Sequence, residues 1–472
     1  MPKQDTVIHW FRRDLRLTDN PALSAAAKAS EQVVPVYVLS DWKKDHGWTG
    51  SIRQQFLCGC LDSLAKNLHA IESRLILRTG RADLEIEKLI KETKATAVYF
   101  NRDYDPYGRD MEKKVQAVCA RHNVECHSFK DRVLHEAEEV LTGSGGPYRV
   151  FTPYSRNWLS LEKAEAHGRL RTLGPAKRIL SDELPTLEHW KLPATDADLP
   201  APGEKAARER MKDFIENGRL MSYQQRRDIP SGLSTSRLGQ DLRFGLISIR
   251  ELYTRCSAAL VEAKTPNAHK SIETYIKELA WREFYMAVLW NNPDVFEEEF
   301  APEFRGMPWP GKDEDFEAWA EGKTGFPIVD AGMRQLLATG FMHNRVRMIV
   351  SMFLTKDLHC YWKQGESFFM QHLVDGENAS NNGGWQWSAG TGADAAPYFR
   401  IQNPWTQTKN YDPEGLYIRQ WVPELRNVSP ERFLTPPKDS RALAPGYPLP
   451  IVDHSEERDR TLAIFAKHRG KH

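Results

Sequence analysis

The chain has 472 residues, 40% hydrophobic and 27% charged, which suits a globular protein of two or three domains and excludes fibrous or extensively disordered architectures. Lys plus Arg number 65 against 64 for Asp plus Glu, a formal net charge of +1, so nothing global draws the chain to a polyanion and any nucleic-acid contact must be a local patch. The six cysteines (Cys58, Cys60, Cys119, Cys126, Cys256, Cys360) match no zinc spacing, the opening MPKQDTVIHWFRRDLRL does not read as a leader, and no stretch reaches 18 apolar residues; reduced thiols, no metal and a cytoplasmic location off the membrane are expected.

Short β-rich runs recur at 6–11 (TVIHWF), 33–39 (VVPVYVL), 74–80 (RLILRTG), 96–101 (TAVYFN) and 124–129 (VECHSF), with helix-like segments between them. The alternation predicts an α/β domain over 1–130, a doubly wound parallel five-stranded sheet whose ligands gather at the carboxyl ends of the strands. From 131 to 205 the period is lost and Gly, Pro and charge collect, which reads as a connector. Gly143, Gly145 and Gly146 there follow no strand and precede no clean helix, so they read as a turn and not as a phosphate loop. Beyond 205, helical periodicity over 206–217, 248–263, 268–292, 328–339 and 343–363 predicts an all-α domain over 206–472, ending in a charged helix or tail.

Between 219 and 255 seven Arg face three acids, a local excess of +4 and a candidate phosphate surface. Within it, STSR at 234–237 offers hydroxyls and a guanidinium that suit either a pyrophosphate or a helix cap. Glu278, Trp281, Arg282 and Tyr285 fall on one helical face whose mixture of acid, base and aromatics suits a cavity wall, or an intrahelical ion pair beside packed rings. Asn344, Arg347 and Met348 share another face, with Arg345 elsewhere on the same turn. In DGENASNNGGWQW (375–387), Gly383 and Gly384 would let backbone approach a planar ligand, with Trp385 and Trp387 on opposite sides, or the segment is a turn carrying core tryptophans; a buried Asp375 would need a partner such as Arg347. No GxGxxG follows the first strand, which argues against a pyridine-nucleotide oxidoreductase.

HWFRRDLRLTDNPAL near the start, YxxxRDIP at 223–230, TSRL at 235–238, ELAWREFY at 278–285, TGFMHNRVRM at 339–348 and DGENASNNGGWQWSAGTGADAAPYFRIQNP at 375–404 together resemble the photolyase/cryptochrome family, and NNGGWQW with MHNR resembles the class I cyclobutane pyrimidine dimer photolyases. The resemblance implies an α/β antenna domain, a connector and a helical domain holding FAD. Tyr223, Thr235, Ser236, Arg237, Leu238, Arg282 and Glu377 would contact the FAD, Arg347 and Asp375 would pair beside its isoalloxazine, and Asn381 would face N5. Glu278 and Asn344 would bond the dimer bases, Trp281 and Trp387 would wall them, and Met348 would lie beneath. Arg227, Arg345 and Gln407 would meet backbone phosphate, and Trp385, Trp362 and Trp309 would form an electron-transfer chain. The implied reaction is light-driven electron transfer from reduced FAD to a dimer extruded from UV-damaged DNA, ring splitting and return of the electron.

The chain departs from the family pattern at Glu377, usually Asp, at Gly239, usually Ser, and at Phe341, usually Trp. Tyr107 and Gly108 replace the Asn and Glu of folate-binding antenna loops, so an 8-hydroxy-deazaflavin or FMN antenna is expected over methenyltetrahydrofolate. A monomer, associated with the nucleoid when bound to DNA, completes the expectation. The rivals are a cryptochrome, which often carries a C-terminal extension and often loses the Glu and Trp kept at 278 and 281, a (6-4) photolyase, which would place a His-rich segment at MHNRVRM, and a simple DNA-binding module, which would need no lined cavity.

Overall fold

The computed structural model describes residues 6–40, 47–174, 179–437 and 441–469. Five strands, β1 (Val7–Phe11), β2 (Val33–Leu39), β3 (Ile76–Thr79), β4 (Ala97–Asn101) and β5 (Glu125–Phe129), form one parallel sheet in the order β3-β2-β1-β4-β5. The central strands are near-continuous apolar runs because helices cover both faces, leaving no solvent side to demand alternation. Pro35 is tolerated within β2 because β3 pairs only from Val36 onward, so Pro35 faces a strand, β1, on one side alone.

Even-numbered residues such as Ile8, Val34, Val98 and Phe100 pack on Ile86, Leu89 and Val115 of the outer helices. The other face, with Val7, Phe11, Leu39 and Tyr99, belongs to an apolar cluster that continues through Phe56 into Phe214, Leu252, Ile272 and Phe284 of the helical half. Sheet and helices therefore share one core. At the switch point between β1 and β4, the carboxyl ends of the strands deliver Arg12, Arg13, Asp103 and Asp105, and Arg132 follows β5; this edge is buried against the helical half.

The structure changes three sequence expectations. The connector is not wholly irregular: Phe151–Ser160 is a helix, and its Trp158 donates Nε1–H to Glu283 at 2.6 Å. The expected helix over 343–363 divides into Asn344–Met352, a π turn at Phe353–Asp357 and a new helix from Trp362, because the π turn and a left-handed His359 (φ 53°) break the axis while the apolar spacing runs on. Asn378–Ala389 is a helix closed by Gly390 (φ 81°), not a turn. Gly143–Gly146 is the turn expected, held by Thr142 and Gly146. The six cysteines are free, and among the described residues no helix is long and apolar enough to cross a membrane and no His/Cys/Asp/Glu group could hold a metal.

Candidate active site

The helix Pro266–Asn291, opened by a Thr265 cap and Pro266, carries Glu278, Trp281, Arg282 and Tyr285 to one wall of a cavity of about 490 Å³. Asn344, Arg345, Arg347 and Met348 enter from the helix capped by His343, and Asp375, Glu377, Asn381, Trp385 and Trp387 from the segment around Asn378–Ala389. Arg227 completes the rim. These fourteen residues, each singled out from sequence, thus line one space, although they come from segments up to 160 positions apart (Arg227 to Trp387).

Charge is arranged in pairs around it. Arg347 Nη2 meets both oxygens of Asp375, at 3.1 and 2.9 Å. At the mouth Arg227 pairs with Glu278, and Arg345 with Asp228 at 2.8 Å. Desolvation in the cavity raises the Glu278 carboxyl above its ordinary range, and Arg227 opposes that shift. Asn381 donates Nδ2–H to the Glu366 carbonyl at 3.0 Å, which fixes the amide against the cavity. Behind it, burial pushes the Glu366 carboxyl up to about 8.

Glu377 belongs to another kind of site. Its Oε2 pairs with Arg132 and its Oε1 lies 3.4 Å from Arg13, so it joins the helical half to the carboxyl edge of the sheet. Arg132 most strongly, then Arg13, Arg243 and Arg282, hold its carboxyl near 2 against burial. Among the described residues Arg282 reaches no carboxylate; it donates to the Arg132 carbonyl at 2.6 Å. Beside them lie two guanidiniums for which the described residues supply carbonyl and hydroxyl acceptors but no carboxylate: Arg243, bonded to the Gly376 carbonyl at 2.8 Å, and buried Arg53, bonded to the same oxygen at 3.3 Å. Burial, aided by the neighbouring Arg13, lowers the Arg243 guanidinium to about 10, with Glu377 and Asp103 opposing the shift.

Some candidates lie off the cavity surface. Tyr223 packs edge-on to Tyr275, whose hydroxyl bonds Ser236; Leu238 is wholly buried in core; and the Thr235 carbonyl accepts from Arg219 at 3.3 Å. Arg237 adopts a left-handed backbone (φ 51°) and lies over Phe341 at 4.1 Å, within the field of Asp375. Gln407 sits on the helix Pro404–Tyr411, whose Tyr411 lies under Arg345. Trp281 keeps one ring face against Phe151, at 3.6 Å and 10°. Phe151 was missed because its helix was not foreseen, and Arg243 and Arg53 because a buried cation with no carboxylate partner among the described residues has no sequence signature. Gly239, lacking the family's usual Ser, lies where a Cβ would come 2.7 Å from Asp375 Oδ2.

Trp385 and Trp362 are fully buried, and Trp362 donates Nε1–H to Glu299 at 3.1 Å. Trp309 is partly buried farther out. Gly383 and Gly384 have separate roles: a Cβ on Gly383 would strike the Tyr285 ring at 2.1 Å, whereas Gly384 opens to the cavity. Gly365, one turn after Trp362, is pressed by Trp385, whose Cη2 would lie 2.1 Å from an added Cβ. Gly365→Ala will therefore overpack this contact and lower the unfolding free energy by about 1–3 kcal/mol, read from urea unfolding; an unchanged midpoint would show that the ring is free to move.

Residues 7–171 match the DNA photolyase family model and residues 275–467 the model for the FAD binding domain of DNA photolyase. The chain is 39% identical to a deoxyribodipyrimidine photo-lyase of Synechococcus over 97% of this chain and 96% of that one. Among solved structures, a class III photolyase from Agrobacterium tumefaciens superposes with a TM-score of 0.91 at 38% identity, covering 100% of this chain and 99% of that one. An archaeal photolyase from Sulfolobus tokodaii containing two FAD molecules gives 0.83 at 30% identity, over 98% and 100%. With a five-stranded α/β layer, a helical FAD-binding half and full-length similarity of this order, the chain belongs to the photolyase/cryptochrome family.

Proposed function

We propose that the chain is a deoxyribodipyrimidine photo-lyase, a lyase that uses blue light to split cyclobutane pyrimidine dimers in DNA. The observation that carries this reading is the convergence of Glu278, Asn344, Met348, Trp281 and Trp387 on the same cavity as Arg347, Asp375, Asn381 and the uncompensated Arg243. FAD fits that residue set. The pyrophosphate of a dinucleotide would supply the anion that the described residues do not offer Arg243 and Arg53, and Arg237 of TSRL adds a guanidinium within the field of Asp375.

When bound and fully reduced, FAD supplies the photo-excited electron that opens the cyclobutane ring and accepts it back. The protein positions and excludes. Trp281 and Trp387 offer flat apolar faces to an extruded dimer, and Met348 fills the space beneath it. Glu278 and Asn344 supply hydrogen bonds to base edges, with the raised carboxyl of Glu278 able to donate. The Arg347–Asp375 pair and the tethered Asn381 amide hold the cofactor face; Trp385, Trp362 and Trp309 supply electrons to oxidised cofactor. Arg227, Arg345 and Gln407 serve the phosphate backbone.

Within the family the NNGGWQW and MHNR motifs support a class I assignment, while similarity to the Agrobacterium structure supports class III; both are photolyase readings. We divide the chain into an antenna domain (1–130), a connector (131–205) and a catalytic domain (206–472), acting as a cytoplasmic monomer that joins the nucleoid on damaged DNA. For the antenna, Tyr107 and Gly108 favour 8-hydroxy-deazaflavin or a second flavin, and the two-FAD Sulfolobus relative gives precedent for the latter. The test is repair of a thymine-dimer oligonucleotide under blue light against a dark control, with the absorption spectrum of the same sample. Light-dependent loss of dimers with bound FAD is the expected result; FAD without repair would identify a cryptochrome-type photoreceptor.

A further inference from the structure

Between Trp362 and Trp309 stands a ring that the tryptophan chain leaves unused. The Tyr361 centroid is 5.7 Å from Trp362 and 5.8 Å from Trp309, so the three rings form a contiguous ladder from the core outward. The indoles differ in what can receive their protons. The Nε1–H groups of Trp385 and Trp309 are buried with no hydrogen-bond partner among the described residues, whereas Trp362 Nε1–H bonds Glu299. Tyr361 is half-buried, within reach of water, and the carboxylates Glu299, Glu297 and Glu298 act on its hydroxyl. Burial above all, and then these carboxylates, hold the resting phenol protonated, its pKa pushed up to about 12. The same negative charge favours a positive hole moving toward it.

From this arrangement we infer that Tyr361 is the terminal electron donor of the chain, taking the hole from Trp362 and keeping it as a neutral tyrosyl radical. The inference rests on the proposed route through Trp385 and Trp362. Once Trp362 has given one electron inward and become a radical cation, Tyr361 gives one electron to Trp362; the phenolic O–H bond breaks, its proton passes to water or a neighbouring carboxylate, and Trp362 returns to its closed-shell form. Overall one electron moves inward and one proton outward, and a soluble thiol later restores the phenol by hydrogen-atom donation. Trp309 is disfavoured as the resting place because, among the described residues, its buried Nε1–H has no acceptor to take the proton of its radical cation.

The experiment is flash photolysis of the oxidised holoenzyme with electron paramagnetic resonance detection, using wild type, Tyr361→Phe, Trp309→Phe and Trp362→Phe, each also produced with ring-deuterated tyrosine. The expected result is a radical whose spectrum narrows on tyrosine deuteration, is lost in Tyr361→Phe, persists in Trp309→Phe and forms more slowly in D₂O. A tryptophanyl spectrum in wild type, insensitive to tyrosine labelling and to Tyr361→Phe, would overturn the inference and leave the hole on Trp362 or Trp309. Retention of the tyrosyl radical in Trp362→Phe would overturn both the inference and the route on which it rests.

Discussion

Glu377→Gln will lower the unfolding free energy at pH 7 by about 3–5 kcal/mol, the loss associated with removing one partner of a buried ion pair. Its two oxygens serve different arginines, Arg132 and Arg13, and Arg243 and Arg282 also act on the charge. A neutral amide would leave this cluster with more uncompensated cation where sheet and helices meet, and its NH₂ would point a donor at donors. The carboxyl is depressed from 4.5 to about 2, so its contribution is fully present above pH 4.5 and is lost as pH falls through about 2. Urea midpoints of wild type and variant should accordingly differ most at neutral pH and converge toward pH 2. Glu377→Asp should lose part of the same energy, because a side chain one methylene shorter cannot reach Arg13 and Arg132 together; this explains why the longer acid suits this chain. A difference below about 1 kcal/mol at pH 7, the scale of an exposed pair, would contradict the clasp.

The parts of this molecule that could be read from sequence are those governed by local period. β-branched runs gave all five strands to within two residues, since a strand buried on both faces needs little beyond a continuous apolar stretch. The ladder Glu278, Trp281, Arg282, Tyr285 indicated a cavity wall because no core or solvated face needs that mixture. What stayed hidden depends on tertiary context. The helix Asn378–Ala389 carries two adjacent glycines that read as a turn; Gly383 is there because Tyr285 crosses it, which a sequence does not record. The break at Phe353–Asp357 leaves the apolar spacing intact. Leu238 lies in a motif associated with the cofactor yet is core, and Arg243 and Arg53 stand out only through the carbonyls that they bond in the fold.

Arg227→Gln will change DNA binding and repair in opposite senses, because the residue pairs with Glu278 and, in the proposed function, also meets phosphate. Loss of one phosphate-neutralising cation should weaken binding of a dimer-containing duplex and flatten the slope of log K against log salt by about 0.9. The effect on Glu278 runs the other way. Burial already raises that carboxyl; Arg227, by charge and hydrogen bond, pulls it down, and Asp228 adds to the rise. Without the guanidinium the neutral, donating form persists to higher pH. Repair that depends on it is present below the folded-state pKa and falls as pH rises through it, so the alkaline limb of repair at saturating DNA should move upward in Arg227→Gln. The companion variant Glu278→Ala should remove this limb and slow repair by about 10- to 100-fold, the equivalent of one hydrogen bond to a charged group, while bound FAD absorbance stays unchanged. In the wild type, phosphate that draws Arg227 away would release Glu278 to protonate, which links seating of the DNA to readiness of the acid. A downward shift of the limb in Arg227→Gln would show that the arginine supports repair by binding the bases directly, and loss of flavin from Glu278→Ala would place that helix face against the cofactor.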